Sequence, residues 1–80
     1  MSTSGTIEAG LRLLGSFHDL SGGNLTMPIT AGEAAARAGI DAHSVVRDIA
    51  VRYLLNNGYL KAADAEDAYA LTVPGKDRVK

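Results

Sequence analysis

The chain contains no cysteine and no tryptophan, and its aromatic residues are limited to three tyrosines and one phenylalanine. Without cysteine, neither disulfide bonds nor thiolate zinc sites can stabilise the fold, so its stability has to come from hydrophobic packing. Its two histidines, His18 and His43, are widely separated, and no serine–histidine–acid arrangement accompanies them. These absences argue against a metal site, a cofactor and an enzyme active site.

Long apolar runs and a strong excess of either charge are also absent. No stretch approaches the roughly 20 apolar residues of a membrane span, and residues 1–5 lack the basic and apolar regions of a signal peptide. We therefore expect a cytoplasmic protein that does not associate with membranes. Eight basic residues oppose nine acidic ones, for a net charge of −1. Any contact with a polyanion such as DNA therefore has to be local.

The length of the chain predicts one small domain over residues 1–80, with a flexible segment at residues 1–5. A first helix is expected over residues 6–18. Its apolar face comprises Ile7, Gly10, Leu11, Leu14, Phe17 and His18. Glycine weakens a helix by about 1 kcal/mol relative to alanine, so Gly10 and Gly15 are acceptable only where something packs closely on them. Leu13 lies off this face.

The second helix has sequence signals at both ends. Thr30 and Glu33 have the spacing of a capping box, in which the threonine hydroxyl accepts a hydrogen bond from the Glu33 amide. Gly39 is a typical residue for the end of a helix. The preceding residues 25–29 alternate in hydropathy but include Pro28. This pattern predicts a short edge strand or an extended lead-in to the helix.

A third helix is predicted over residues 41–57, with Asp41 as its N-cap. Its buried face is expected to carry Ala42, Val45, Val46, Ile49, Ala50 and Tyr53. Its outer face is expected to carry Ser44, Arg47, Asp48, Val51 and Leu55. We expect four residues of the domain to be buried: Ile49, Leu14, Ile40 and Leu60.

The rest of the chain predicts a β-hairpin, with strands at residues 59–63 and 68–72 around an acidic turn at residues 64–67. Residues 75–80 have the composition of a truncated helix start. A helix of that length is too short to be stable alone, since isolated helices need roughly 12 to 15 residues.

This order of elements is that of a winged helix, an α+β fold with a three-helix core, a helix-turn-helix, a short strand and a C-terminal hairpin wing. The motifs are Ile29-Thr30-Ala31-Gly32-Glu33-Ala34-Ala35, Gly39-Ile40-Asp41, Asn57-Gly58-Tyr59-Leu60 and Tyr69-Ala70-Leu71-Thr72, with Gly75 three residues later. In this respect the chain resembles the winged helix-turn-helix domain of small prokaryotic transcription regulators. The resemblance implies binding to double-stranded DNA in transcription regulation, with residues 41–57 as the recognition helix.

The DNA-contacting residues expected from this resemblance are His43, Ser44, Arg47, Arg52, Lys61, Lys76 and Arg78. Arg47 is the main candidate for reading a base, because a guanidinium can donate two hydrogen bonds to guanine. Ser44 and His43, near the start of the recognition helix, are candidates for phosphate or base contacts. Because so few cations are present, we expect a shallow salt dependence of DNA binding.

The alternative is a winged helix that serves protein contact or dimerisation and does not bind DNA. The turn of the hairpin carries Asp64, Glu66 and Asp67, whose charges repel a phosphate backbone. The candidate interface residues are Leu13, Val51 and Leu55, which are surplus to the predicted core. The partner in this alternative is a second copy of the chain or the remainder of a longer parent protein.

Overall fold

In the computed structural model, which describes residues 3–41 and 44–79, four helices pack with one small three-stranded sheet. The elements in chain order are α1 (Thr3–Ser21), β1 (Ile29–Thr30), α2 (Ala31–Ala38), α3 (Val45–Asn56), β2 (Leu60–Ala62), β3 (Ala68–Leu71) and α4 (Val73–Val79). The predicted α+β class is confirmed for this part of the chain.

Helix α1 lies at the centre of the domain and contacts α2, α3, α4 and two strands of the sheet. It begins at Thr3, three residues before the predicted start at residue 6. Because several elements surround α1, its buried surface is wider than a single face. Leu13 and Leu14 are both completely buried. The prediction that Leu13 lies off the buried face is therefore wrong.

The two glycines inside α1 have different surroundings. Gly10 lies against the ring of Tyr53 in α3, and a Cβ at this position would be 2.5 Å from a ring carbon. The two helices therefore approach each other closely at this point, as the sequence required of Gly10. Gly15 has no neighbour within 4 Å of the corresponding position, so the same expectation is wrong there.

Helix α2 begins and ends as its sequence signals predict. Thr30 is the N-cap, and its Oγ1 accepts a hydrogen bond from the Glu33 amide at 3.2 Å. At the other end, Gly39 has a φ of 76°, a left-handed conformation that glycine adopts without strain. The Ile40 amide then donates to the Ala35 carbonyl, which completes a Schellman motif.

Helix α3 begins at Val45, four residues after the predicted start, and its N-cap is Ser44 instead of Asp41. The Ser44 Oγ accepts a hydrogen bond from the Arg47 amide at 3.3 Å. Ala42 and His43 lie outside the described residues.

The buried residues of α3 are Ala50, Val51 and Leu54, so the buried side is rotated from the predicted one and shares only Ala50 with it. Val45 and Val46 were expected inside, but their side chains are 71% and 41% exposed. Ile49 is only half-buried. Apolar residues occur all around α3, and packing against α1 and β2 selects which of them are buried.

The predicted hairpin is confirmed, and β1 joins it to give an antiparallel sheet with the strand order β1-β3-β2. Ile29 pairs with Tyr69, and Leu60 pairs with Leu71. The ring of Phe17 in α1 meets that of Tyr69 edge to face, with 6.4 Å between their centroids. Leu60 is buried as predicted, whereas Ile40 is half-buried and packs against the core.

Thr72 connects the hairpin to α4. Its hydroxyl donates to the Gly58 carbonyl at the start of the hairpin and accepts from the Gly75 amide in α4. Gly75 lies so close to the Tyr59 carbonyl that a Cβ would collide with it. The helix predicted to start at residue 75 therefore begins at Val73, where the hairpin supports it.

Candidate functional site

A groove of about 360 Å³ runs between α3 and the hairpin. We call it the α3–hairpin groove. It is lined by Arg47, Asp48, Val51, Arg52, Leu55, Asp67 and Tyr69. Two arginines and two aspartates make the lining neutral overall. The groove brings together two of the residues predicted to contact DNA, Arg47 and Arg52.

The guanidinium of Arg47 is held between two carboxylates. Its Nη1 donates to both oxygens of Asp67, at 3.0 and 3.2 Å, and its Nη2 donates to Oδ1 of Asp48 at 2.6 Å. The side chain of Arg47 is only 19% exposed. Its Nε is buried and has no hydrogen-bond partner among the described residues. Arg47 was expected on the outer face of α3, but in the structure it anchors the hairpin.

Asp67 connects the turn of the hairpin to both α2 and α3. Its carboxylate binds Arg47 of α3, and its backbone carbonyl accepts a hydrogen bond from the amide of Ala31, the first residue of α2, at 2.9 Å. Its φ of 56° lies in the left-handed region, which aspartate tolerates better than most residues. The acidic turn is therefore fixed against the helices.

The outward side of α3 is formed by residues that no other described element covers. Val45, Asp48, Arg52 and Asn56 are exposed, and Ile49 is half-buried between them. Within the described part of the chain, Arg52 has no carboxylate within ion-pair distance. Asp48, in contrast, is paired with Arg47, which Asp67 also binds. We call these five residues the outer stripe of α3.

The other predicted DNA contacts lie elsewhere or have structural roles. Ser44 caps α3, and its hydroxyl donates to the Asp41 carbonyl at 2.7 Å. Lys61 is exposed in a second groove, which it shares with Leu25 and Pro28. The side chain of Lys76 lies beside Gly23, after the end of α1. Arg78 is exposed on α4, and His43 lies outside the described residues.

The three residues predicted as a protein interface belong to the core or its border. Leu13 is completely buried, Val51 is 6% exposed, and Leu55 packs against the core. This prediction is therefore wrong for Leu13 and Val51. The apolar side chains that the sequence reading missed are Val45 and Val46, because both were assigned to the buried face of α3.

Among the residues that the structure describes, no three histidine, aspartate or glutamate side chains are grouped so that they would hold a metal ion. In the same part of the chain, no helix has the length and apolar character needed to cross a membrane.

No protein-family model matches the chain, and neither a curated protein nor a solved structure matches it. Any assignment of function therefore has to come from the geometry and chemistry of its own residues.

Proposed function

We propose that the chain is a winged helix that binds double-stranded DNA through α3. The order of the elements and the strand order β1-β3-β2 are those expected of this fold. The turn at Gly39 leads from α2 into α3, as in a helix-turn-helix. In such domains the second helix of the motif lies in the major groove, and the hairpin lies against the DNA backbone.

The observation that carries this proposal is the uncovered outer stripe of α3. Packing buries the opposite side of the helix, at Ala50, Val51 and Leu54, and leaves the stripe accessible over the whole length of α3. The major groove is about 12 Å wide and admits one α-helix. Arg52 lies on the stripe and has no described ion pair, so it takes the DNA-reading role that the sequence assigned to Arg47.

Fluorescence anisotropy with a mixed-sequence duplex, measured over a series of salt concentrations, tests this function. We expect binding that weakens with salt, with a shallow slope because few cations face the DNA. Arg52→Gln should lower the affinity by about 1 to 3 kcal/mol. Arg37→Gln is the matched control, since Arg37 pairs with Asp19 at 3.5 Å on another surface. A chain that fails to bind at low salt, or an Arg52→Gln variant that binds like the wild type, would contradict the proposal.

Protein contact is the second candidate, and the exposure of Val45 and Val46 favours it. Exposed aliphatic residues on one helix can pack against a partner. The negative charges of Asp64, Glu66 and Asp67 also oppose contact with phosphate. Sedimentation velocity from micromolar to near-millimolar concentration separates the two candidates. Self-association that Val46→Ser abolishes, together with the absence of DNA binding, would favour protein contact.

A further inference from the structure

The outer stripe of α3 carries two aliphatic residues in its first turns, besides Asp48. Val45 is 71% exposed at the start of the helix, and Ile49 follows one turn later on the same side. Arg52 follows after a further turn. The residues at positions 45, 49 and 52 are therefore neighbours on the helix surface. An exposed valine and a half-buried isoleucine next to an arginine require an explanation if α3 enters a DNA groove.

The major groove offers one apolar group on its base edges, the C5-methyl group of thymine. The N-terminal residues of a recognition helix are those that contact base edges. Val45 is the first residue of α3 and therefore occupies this position. Burial of one methyl group between a valine and a thymine contributes about fourfold to a binding constant.

We propose that α3 recognises thymine-containing DNA, with Val45 and Ile49 in contact with thymine methyl groups and Arg52 donating to a phosphate or a base acceptor. This inference rests on the proposed DNA-binding function. The stripe carries one negative side chain, Asp48, which Arg47 binds at 2.6 Å, and one positive side chain, Arg52, which has no ion pair among the described residues. Arg52 is therefore the cation of the stripe that is available to a DNA phosphate or base.

The experiment compares two pools of randomised duplex that are identical except that thymidine is replaced by deoxyuridine in one. This replacement removes the methyl group and keeps the hydrogen-bonding edge of the base. We expect the wild-type chain to bind the thymidine pool about fourfold more tightly for each methyl group contacted. Val45→Ala should reduce this preference by about fourfold, while the part contributed by Ile49 remains. Val73→Ala is the matched control, because Val73 is another exposed valine, on α4, and should keep the wild-type preference.

The outcomes distinguish the failure of this inference from failure of DNA binding itself. Equal binding of both pools by the wild-type chain would overturn methyl recognition but leave the DNA-binding function intact. A preference for thymidine as large in Val45→Ala as in the wild-type chain would overturn the role of Val45. Binding to neither pool would overturn both proposals. Circular dichroism of each variant verifies that it is folded, and we expect no loss because Val45 and Val73 are exposed.

Discussion

Arg47 has a different environment from Arg52, although both lie on α3. Arg47 is 19% exposed and bound to two carboxylates, whereas Arg52 is exposed on the outer stripe. An arginine paired in this way has to give up its hydrogen bonds before it can donate to DNA. Because Asp48 and Asp67 are about half exposed, water and salt weaken their attraction for Arg47, so this cost is modest.

Asp67→Asn tests the free-energy cost of breaking the ion pair between Arg47 and Asp67. It removes one of the two negative charges that bind Arg47 and keeps a side chain that tolerates the positive φ at residue 67. We expect tighter binding to duplex DNA, and a slope of log affinity against log salt that is steeper by up to about 1, because Arg47 then keeps only Asp48 as a partner. Anisotropy titrations over a salt series measure both quantities. The stability of the domain should fall by no more than about 1 kcal/mol.

Asp64→Asn is the control for this prediction. It removes the same charge from the acidic turn but leaves the pair between Arg47 and Asp67 in place. If both variants gain affinity equally and with the same salt slope, the gain comes from the change in net charge. Loss of the ion pair with Asp67 would then not make Arg47 available to DNA.

At the scale of the element, α3 has more apolar residues than one face can bury. Its valine, isoleucine, alanine, leucine and tyrosine residues are distributed over all sides of the helix. Leu54 is completely buried, whereas Ile49, in the preceding turns, is half-buried. The free energy of folding therefore depends on these two residues to different extents, although both are large aliphatic residues of the same helix.

Truncation of these two residues to alanine measures the orientation of α3. Leu54→Ala should lower the free energy of unfolding by about 2 to 5 kcal/mol, because it leaves a cavity in the core. Ile49→Ala should lower it by about 1 kcal/mol, because part of the side chain is already in water. Urea denaturation followed by circular dichroism gives both values. If Ile49→Ala proved the more damaging change, the orientation of α3 would be the one expected from its sequence.

At the scale of the whole molecule, α1 holds the domain together. It contacts every other helix, and it reaches the sheet through Phe17 and Tyr69. A chain of 80 residues without cysteine has no disulfide bond, so close packing around this helix is its main source of stability. The contact of Gly10 with Tyr53 is the point where α1 and α3 approach without an intervening side chain on α1.

The two glycines of α1 should respond to alanine with opposite signs. Gly10→Ala places a methyl group against the ring of Tyr53, and we expect a loss of about 1 to 3 kcal/mol from overpacking. Gly15→Ala meets no neighbouring atom and improves helix propensity, so a gain of up to about 1 kcal/mol is expected. Thermal unfolding of the two variants provides the comparison. Equal shifts of Tm in the same direction would contradict the close crossing of α1 and α3.

Local signals were sufficient to predict the ends of α2 and the position of the hairpin. The cap at Thr30 and the left-handed turn at Gly39 involve hydrogen bonds between residues only a few positions apart, so the sequence contains all that they need. The motif from Thr72 to Gly75 was also evident in the sequence. The structural reason for this motif is the contact of Thr72 and Gly75 with Gly58 and Tyr59. The sequence did not reveal that contact, because the two pairs of residues are distant along the chain.

The sequence by itself determined the α+β class, the order of the main elements and a net charge close to zero. Only the tertiary structure decided which side of α3 faces the solvent, that Leu13 is in the core, and that Arg47 binds Asp67. The rotation of a helix with apolar residues on all sides depends on the elements that pack against it. Arg47 and Asp67 are 20 residues apart, so their pairing depends on how the hairpin packs against α3. The candidate site is therefore the outer stripe of α3 and not Arg47, although the helix that carries both was predicted.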